Sequence, residues 1–465
     1  MQPESSTPPK PRVLVFLESD IVVRHFIDSG VFVEAIECCD VCFVVPPRIE
    51  RRFVRTPNTV DYGARHRELE PPRRRLFWWR TLFQVDQVRW RPGADHAALR
   101  RMRSYQIASR RVRWMYRVLA LPGVFQVFRA WALMRLRALP FKALDTLITE
   151  EQPDVLLHPT VLDGIYVNDV VEAAARHGIP SVFIMNSWDN PSTKRSVIGQ
   201  PDRLLVWGSQ TREHAVRYMN IDRDRVVSFG AAQFDIYREP PRRTRTELLH
   251  EHGIDTAKRV LLYAGASKAV DEYADLCLLD EAIERGDLAN TAVLYRPHPW
   301  GRGGIGGGRI VDHPWRHVSV ENTMRDYLEK VRDGEKDLRA FPDYHNTVDV
   351  LQAADALVSP LSTIILEAVM LGKASICYLP QDTPGDTLGN QASLTHFREL
   401  FQAEAIPKVY RREDLVAAAE QALTRAGDAD HAALLKSVSA YFVSPFDEPY
   451  GERLVKFLRM VADDT

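Results

Sequence analysis

An arginine and a histidine stand two residues apart in the sequence Arg296-Pro297-His298-Pro299. A guanidinium group carries a permanent charge on forked donors that match phosphate oxygens, and an imidazole donates a hydrogen bond in either protonation state. The two prolines stiffen the turn and hold both side chains in place. The segment therefore predicts a site for phosphate groups, and the alternative is a rigid surface turn without a ligand.

Hydroxyl side chains and one carboxylate follow in the segment that starts at Ser359. Ser362 and Thr363 occupy the expected N-cap and first turn of a helix, where hydroxyl groups and the helix dipole favour an anion. Glu367 lies about one turn further along, where its carboxylate can accept the hydroxyl groups of a ribose. A capping box would need an acid at position 365 or 366, so Glu367 is not placed as a capping partner.

Small residues form a third segment, Ala264-Gly265-Ala266-Ser267. Gly265 and Ser267 allow backbone N–H groups to approach an anion closely. A more conspicuous glycine run at 301–308 is predicted to be a flexible loop, because it opens no helix and does not match the dinucleotide-binding pattern.

Each of the three segments follows a short apolar run typical of a buried parallel strand, at 260–263, 292–295 and 356–358. A similar alternation of strands and helices begins at Val13. The pattern predicts an α/β protein with two Rossmann-like, doubly wound parallel-sheet domains facing a cleft. The predicted parts are a tail (1–10), a first Rossmann-like domain (11–237) with a basic helical insertion (71–137), a second Rossmann-like domain (238–440) and a C-terminal helix (441–465).

The RPHP turn and the run AADALVSPLSTIILEAVMLGKASICY at 353–378 resemble the donor half of GT-B glycosyltransferases. The likeness is closest to bacterial surface-polysaccharide glycosyltransferases and the CDP-glycerol glycerophosphotransferase group. It covers roughly 150–378 and the segment 446–453, whereas residues 48–140 match nothing in that group. The resemblance implies an acceptor domain at 11–237, a nucleotide-donor domain at 238–440 and a final helix at 441–465 that crosses back to the first domain. The resemblance implies that phosphates are held by His298, Ser362 and Thr363 with help from Arg296, and that ribose is held by Glu367.

Catalysis of group transfer needs a base, and the candidates are polar residues that follow strands of the first domain. Asp163 is the first choice, as a carboxylate at a helix start, and the other candidates are Asp20, His25 and Asp189. For each of them the alternative is a capping or solvated turn residue.

Neither a metal nor another cofactor is expected. No Asp-x-Asp sequence follows a predicted strand, and Cys39-Asp40-Val41-Cys42 has no second pair or nearby histidine to complete a metal site. The five cysteines form an odd set on mostly apolar stretches, which fits buried thiols in the cytoplasm. No apolar run is long enough to span a bilayer, and the N-terminus lacks the apolar core of a signal peptide.

Charge is distributed very unevenly along the chain. Residues 71–137 contain 16 arginines and two acidic residues, a formal charge of +14, whereas the rest of the chain carries −15. Five of the nine tryptophans lie in the same segment. This combination indicates an anionic partner, such as a membrane surface or the phosphates of a lipid-linked acceptor, and the alternative is a solvated helix face with tryptophans in the core. No nucleic-acid-binding module is recognisable, so nucleic acid is not expected.

The favoured function is a metal-independent glycosyltransferase that uses a CMP-, CDP- or UDP-linked sugar and acts on a cell-surface glycan or its lipid-linked precursor. Two alternatives share the fold, namely a glycerophosphotransferase with a CDP-linked donor and a UDP-sugar 2-epimerase. A protein that binds a nucleotide or glycan without catalysis is an alternative from another class.

Overall fold

The computed structural model describes residues 10–47, 60–92, 100, 107, 109–194, 197–266, 270–335, 340, 342–380 and 394–464. The chain divides into two compact units. The N-terminal unit holds the described residues up to Asp235 and again from Phe442 onward, and the C-terminal unit runs from Ile236 to Tyr441. Each unit contains its own parallel β-sheet.

Within the described residues, the sheet of the N-terminal unit has seven parallel strands in the order β3-β2-β1-β4-β5-β6-β7. The strands are Arg12–Phe16 (β1), Asp40–Val45 (β2), Arg65–Glu68 (β3), Val155–Thr160 (β4), Ser181–Met185 (β5), Arg203–Val206 (β6) and Val226–Ser228 (β7). The central strands are buried almost throughout, as parallel strands are when helices cover both faces of the sheet. The order of the strands reverses between β1 and β4, which is where such sheets bind ligands.

The described sheet of the C-terminal unit has six parallel strands in the order β10-β9-β8-β11-β12-β13. The strands are Arg259–Ala264 (β8), Thr291–Arg296 (β9), Val318–Val320 (β10), Ala356–Ser359 (β11), Ala374–Tyr378 (β12) and Lys408–Val409 (β13). Here the order reverses between β8 and β11. The predicted architecture of two doubly wound parallel sheets is therefore confirmed.

Helices connect the strands in both units. Those that precede the unit boundary are Asp20–Phe26 (α1), Val33–Cys38 (α2), Arg73–Val88 (α3), Arg110–Leu119 (α4), Val124–Arg137 (α5), Lys142–Glu151 (α6), Val167–His177 (α7) and Ser209–His214 (α8). Those of the C-terminal unit are Arg245–Glu251 (α9), Glu272–Glu284 (α10), Gly307–Asp312 (α11), Asn322–Arg332 (α12), Tyr344–Ala353 (α13), Thr363–Met370 (α14), Arg398–Gln402 (α15), Leu415–Thr424 (α16) and Ala429–Phe442 (α17). No helix in the described residues is both long and apolar enough to cross a membrane.

The last helix, Tyr450–Asp463 (α18), belongs to the N-terminal unit. Its apolar side chains join the core formed by β1, β2, α1 and α2. Gly451 makes this close contact possible, because a β-carbon there would collide with the carboxylate of Glu34 on α2.

The polar, proline-containing sequence at 48–75 predicts a loop, and this prediction is wrong in its described part. Residues 65–68 form the edge strand β3, which pairs with β2, and α3 already begins at Arg73. All four side chains of β3 are polar and exposed, so the strand lacks the apolar alternation by which a strand is recognised. The charged sequence at 235–258, with Pro240 and Pro241, predicts a linker, but this segment contains the helix α9.

A buried ion pair fixes the basic helical segment to the N-terminal sheet domain. The guanidinium of Arg75 on α3 donates to Asp169 on α7 at 2.6 Å, and it also contacts Glu172. Two backbone carbonyl groups at the end of α5 accept its remaining N–H groups, at 2.8 and 2.6 Å. Arg75 is 5% exposed and Asp169 is 2% exposed, so the guanidinium is the cation that offsets the burial of this carboxylate. Asp169 also accepts a hydrogen bond from Nε1 of Trp79 at 3.0 Å.

Replacement of Arg75 by alanine should therefore destabilise the N-terminal unit by roughly 3–5 kcal/mol, because Asp169 is left buried without its cation. Guanidinium unfolding followed by tryptophan fluorescence measures this loss. Arg74→Ala is the matched control, since Arg74 is exposed, and its effect should stay within about 0.5 kcal/mol. Equal stability of the two variants would contradict this account of the segment.

Candidate nucleotide-binding site

The three segments selected from the sequence leave neighbouring strands of the C-terminal sheet. β8 pairs with β9 on one side and with β11 on the other. Ala264 is in register with Arg296, and Tyr263 is in register with Val358, so the strands end at the same level. The loops after β8, β9 and β11 therefore leave the carboxyl edge of the sheet side by side, at the point where the strand order reverses.

Gly265 lies against a buried carboxylate that the sequence interpretation missed. A β-carbon at this position would come within 2.6 Å of Oε2 of Glu272, so only glycine fits without a shift. Glu272 accepts a hydrogen bond from the N–H of Ala266 at 2.7 Å and another from the hydroxyl of Tyr295. Burial raises the pKa of Glu272 to about 7, against the lowering effect of these two donors. Ser267, the other candidate in this loop, lies outside the described residues.

Arg296 ends β9 and is only 6% exposed. Its Nη2 donates to the hydroxyl of Thr347 on α13 at 2.9 Å. A guanidinium that is held in this way is oriented before any ligand arrives, which reduces the entropy cost of binding an anion.

His298 follows Arg296 in the same turn and is partly buried. Burial lowers the pKa of His298 to about 4, so the imidazole is neutral at pH 7. Its Nδ1 accepts the backbone N–H of Trp300 at 3.4 Å. This contact leaves the proton on Nε2, and Nε2 is therefore the atom available to donate a hydrogen bond to a ligand.

The loop after β11 places two serine hydroxyls together. Ser359 is fully buried, and its Oγ lies 3.1 Å from Oγ of Ser362. Ser362 is the N-cap residue of α14, but its side chain does not cap the helix. Thr363 begins the helix. The first turn of α14 therefore presents hydroxyl groups and a helix N-terminus at the same edge as His298, an arrangement that suits an anion.

Glu367 has a protein partner in this structure. Its carboxylate accepts a hydrogen bond from the hydroxyl of Tyr237, a residue near the start of the C-terminal unit. Burial and the charge of Glu367 raise the pKa of Tyr237 well above its usual value, while the charge of Arg296 opposes the shift. Glu367 and Arg296 therefore lie close to the same hydroxyl. No local pattern pointed to Tyr237, because it lies 130 residues away along the chain from Glu367.

The glycine run is not the unstructured loop that the sequence suggested. It ends in the short helix α11, which begins at Gly307, and it packs on the loop after β8. A β-carbon at Gly304 would collide with the carbonyl of Val270, and the N–H of Ile305 donates to that carbonyl at 2.7 Å. The run also lines an open cavity of about 880 Å³ together with Tyr273, Trp300 and His313. The prediction that the run opens no helix is therefore wrong. The close packing of these glycines depends on contacts that are remote in sequence.

The four candidate bases lie in the N-terminal unit, in different environments. Asp20 is buried at the start of α1, and His25 is half-buried in the last turn of the same helix. Asp189 accepts hydrogen bonds from Asn190 and Thr193, at 3.0 and 2.9 Å, and so stabilises the turn that follows it. Asp163 is half-buried in the loop between β4 and α7, and its carboxylate forms no hydrogen bond or ion pair with the residues that the structure describes.

The loop that carries Asp163 is held by Glu18, which the sequence interpretation did not select. The buried carboxylate of Glu18 accepts hydrogen bonds from the N–H groups of Ile165 and Tyr166 at 2.9 and 2.6 Å, and from Nε2 of His158 at 2.8 Å. Burial raises the pKa of Glu18, but His158 and the two N–H groups together lower it below its usual range. Leu162, next to Asp163, has a φ of 59°, an unusual backbone conformation for leucine.

Glu18 and His158 therefore act as a buried support at the point where the strand order of the N-terminal sheet reverses. Gly164 allows this arrangement, since a β-carbon there would overlap the carboxylate of Glu18. The support fixes the backbone just after Asp163, at Ile165 and Tyr166, and leaves the side chain of Asp163 as the candidate base of this loop.

Among the described residues, no three or more His, Cys, Asp or Glu side chains are grouped so that they could hold a metal ion. Cys39 and Cys42 are free thiols in a buried strand region. Burial raises the pKa of each thiol to about 11, which disfavours the thiolate that metal binding requires.

The buried carboxyl group of Glu272 should make the stability of the C-terminal unit depend on pH. The pKa of Glu272 is about 7 in the folded chain and ordinary in the unfolded chain. Protonation of Glu272 therefore favours the folded state, and this contribution to stability is lost as the pH rises through 7. The advantage of Glu272→Gln over the wild type should therefore grow by roughly 2–3 kcal/mol between pH 5 and pH 8.

Denaturant unfolding at the two pH values measures that difference. Glu281→Gln is the control, because Glu281 lies on the same helix with its side chain 70% exposed. For Glu281→Gln, the difference in unfolding free energy from the wild type should be the same at both pH values. If it were also the same for Glu272→Gln, Glu272 would be ionised normally and the account would be contradicted.

No protein-family model matches the chain, and no curated protein matches it in sequence. Solved structures do resemble it. A UDP-N-acetylglucosamine 2-epimerase has a TM-score of 0.50 at 12% identity, over 99% of this chain and 98% of that one. A variant of the wall teichoic acid polymerase TagF has a TM-score of 0.50 at 8% identity, over 98% of this chain and 90% of that one. Together with the two doubly wound parallel sheets, these similarities show that the chain has the GT-B fold.

Proposed function

We propose that the protein is a metal-independent glycosyltransferase, which moves a sugar from a CMP-, CDP- or UDP-linked donor to a cell-surface glycan or a lipid-linked precursor. One observation carries the proposal. Neighbouring strands of the C-terminal sheet present an oriented guanidinium, a neutral imidazole and paired serine hydroxyls at the edge where the strand order reverses. These groups suit the phosphates of a nucleotide.

Each group has a distinct part in holding the donor. Nε2 of His298 donates to a phosphate oxygen, and Ser362 and Thr363 bring hydroxyls and the start of α14 to the same anion. Arg296 supplies positive charge from its buried position. No metal ion takes part, because the guanidinium of Arg296 and the dipole of α14 offset the negative charge of the phosphates. Gly265 lets the backbone of the β8 loop approach the donor.

Glu367 is proposed to bind the ribose. Its partner, the hydroxyl of Tyr237, occupies the carboxylate in this structure. A ribose diol donates two hydrogen bonds, so it can replace or join the single donor that Tyr237 provides. Tyr237 thus keeps the carboxylate of Glu367 hydrogen-bonded when no nucleotide-linked sugar is bound.

Transfer forms a bond between an acceptor oxygen and the anomeric carbon and breaks the bond from that carbon to the phosphate oxygen. The bonding electrons leave with the nucleotide, and the proton of the acceptor hydroxyl passes to a base. Asp163 is the proposed base, because its loop is fixed by Glu18 and its carboxylate is not engaged by the described residues. Asp20, His25 and Asp189 remain the other candidates.

The two structural neighbours support the general class, since by name one is an epimerase of a UDP-sugar and the other is a polymerase of wall teichoic acid. A proposed location in the cytoplasm, at the inner face of the plasma membrane, agrees with the free cysteines and with an acceptor of the cell envelope.

Nucleotide binding should depend on the groups at the strand ends. His298→Ala and Ser362→Ala should each weaken binding of UDP or CDP by about 10- to 100-fold, because each removes a hydrogen bond to a charged phosphate. Isothermal titration with CMP, CDP, UDP and GDP, in the presence of EDTA, measures the affinities. His250→Ala is the control, since His250 is exposed on α9 of the same unit.

Unchanged affinity in both variants would place the nucleotide elsewhere. If the wild type bound nucleotide without EDTA but not in its presence, the site would require a metal ion, contrary to the proposal. Donor tests then separate the alternatives: release of a free sugar or its transfer supports a glycosyltransferase, cleavage of CDP-glycerol supports a glycerophosphotransferase, and epimerised UDP-N-acetylglucosamine supports an epimerase. Binding of a nucleotide without turnover of any donor would favour a protein that is not a catalyst.

Asp163→Asn should lower the transfer rate by roughly 10²–10⁴-fold, because the amide cannot accept the proton of the acceptor. The affinity for nucleotide should stay within about twofold of the wild type, since Asp163 is proposed to act on the acceptor and not on the donor. Hydrolysis and transfer of the donor found active in the panel provide the rate. Full activity of Asp163→Asn would show that Asp163 is not the base and that another of the candidates is.

A further inference from the structure

Exposed apolar side chains are concentrated in the basic helical segment of the N-terminal unit. Eighteen large apolar residues are exposed in the described chain, and ten of them lie between Phe77 and Met134. This short stretch therefore carries more than half of the exposed large apolar side chains, whereas scattered single residues are normal on a protein surface.

The fold of the segment does not require these side chains. Helices α3, α4 and α5 share a core of their own, which contains Trp79, Leu82, Tyr116, Phe125 and Phe128. On α5, the residues that face this core recur at 125, 128, 132 and 136, with helical spacing. Trp79 fits the alternative in which tryptophans of the segment belong to a core, but Trp90, Trp114 and Trp131 are exposed by 70, 69 and 46%.

A second apolar stripe runs along the outer side of α5. Val124, Val127, Trp131 and Met134 follow one another at intervals of three or four residues, and they are exposed by 40, 72, 46 and 56%. Such spacing places them on one face of the helix, and that face is different from the one that packs on the core.

The stripe continues onto both neighbouring helices. At the turn before α5 it meets Leu121, which continues an exposed series on α4 that includes Trp114 and Val118. On the other side, the ring of Trp131 lies 4.8 Å from that of Trp78 on α3, and Trp78 contacts the exposed Phe77. We call this surface the α4–α5 face; it comprises Phe77, Trp114, Val118, Leu121, Val124, Val127, Trp131 and Met134.

Arginines accompany the apolar residues on the same two helices. Six of them are exposed, and none forms an ion pair with another described residue: Arg110, Arg111, Arg117, Arg129, Arg135 and Arg137. The acidic residue of the segment that the structure describes, Asp86, is already paired with Arg89 and Arg91 at 3.0 and 2.7 Å. The surface is therefore both apolar and positively charged, without internal neutralisation.

We propose that the α4–α5 face binds a lipid bilayer that carries anionic headgroups. The apolar stripe would enter the boundary between headgroups and acyl chains, the tryptophan rings would lie at the depth of the headgroups, and the arginines would contact lipid phosphates. α5 has 14 residues and does not cross the bilayer, so the attachment is peripheral. Charge complementarity favours this partner, and the large apolar stripe distinguishes the surface from one that binds nucleic acid.

The proposal concerns a different surface from the nucleotide site and stands independently of the donor. If the acceptor is lipid-linked, the same face would bring the enzyme to it. Nucleotide affinity of the variants below therefore reports on the site in the C-terminal unit, and vesicle binding reports on the α4–α5 face alone.

Sedimentation with vesicles tests the proposal. The intact protein should pellet with vesicles of phosphatidylcholine and 30% phosphatidylglycerol at 100 mM salt, and binding should fall at 500 mM salt or with phosphatidylcholine alone. The double variant Val127→Ser/Trp131→Ser removes apolar surface without a change of charge, and it should bind at least tenfold less. The triple variant Arg129→Gln/Arg135→Gln/Arg137→Gln should lose the preference for anionic lipid.

Leu434→Ser is the matched control, because Leu434 is 51% exposed on α17 of the other unit, and it should bind like the wild type. Circular dichroism and the melting temperature establish that each variant is folded. Failure of the intact protein to pellet with anionic vesicles overturns the proposal, as does unchanged binding by the double variant. A dimer that the double variant converts to a monomer, without vesicle binding, would instead identify the face as a contact with a second copy of the chain.

Discussion

The parallel pairing of β8 with both β9 and β11 is the constraint on which the candidate site depends. It brings the ends of three strands to one level, although the residues concerned are separated by up to about one hundred positions in the chain. Gly265, directly after β8, leaves room for the carboxylate of Glu272 beside this edge. Arg296, His298 and the serines of the β11 loop would otherwise be unrelated polar residues at the ends of separate strands.

The N-terminal sheet uses a similar device for a different purpose. Glu18 follows β1 and reaches across to β4, where His158 and two N–H groups of the next loop surround its carboxylate. In each unit, then, a buried acid after the first strand of the sheet holds a loop at the point where the strand order reverses. Both acids lie against a glycine at which a β-carbon would displace the carboxylate, Gly164 in one unit and Gly265 in the other. Backbone N–H groups held by a buried carboxylate in this way suit a site that must orient polar groups before a ligand binds.

Sequence patterns identified the parts of the molecule whose signals are local. Buried strands such as β5 and β6 appear as continuous apolar runs, and α7 ends at a glycine, so these elements could be recognised directly. The edge strand β3 could not, because its residues are all exposed and polar. Glu18, Glu272 and Tyr237 were missed for another reason: their importance arises from burial and from partners that are distant in sequence or fixed by packing. The packing of the glycine run at 301–308 could not be predicted, because its contacts with the residues that follow β8 have no sequence signature.

The charge of the chain can now be related to its structure. The basic segment is fixed to the sheet domain through Arg75, builds its own small core, and still leaves an apolar and cationic face uncovered. The central claim, however, concerns the C-terminal unit, and a crystal structure with UDP or CDP bound tests it most directly. The account predicts a phosphate oxygen about 3 Å from Nε2 of His298, with Ser362 and Thr363 on the same diphosphate and no metal ion beside it. A diphosphate bound instead at Arg302 and Arg309 in the cavity of the glycine run, or outside the C-terminal unit, would contradict the account.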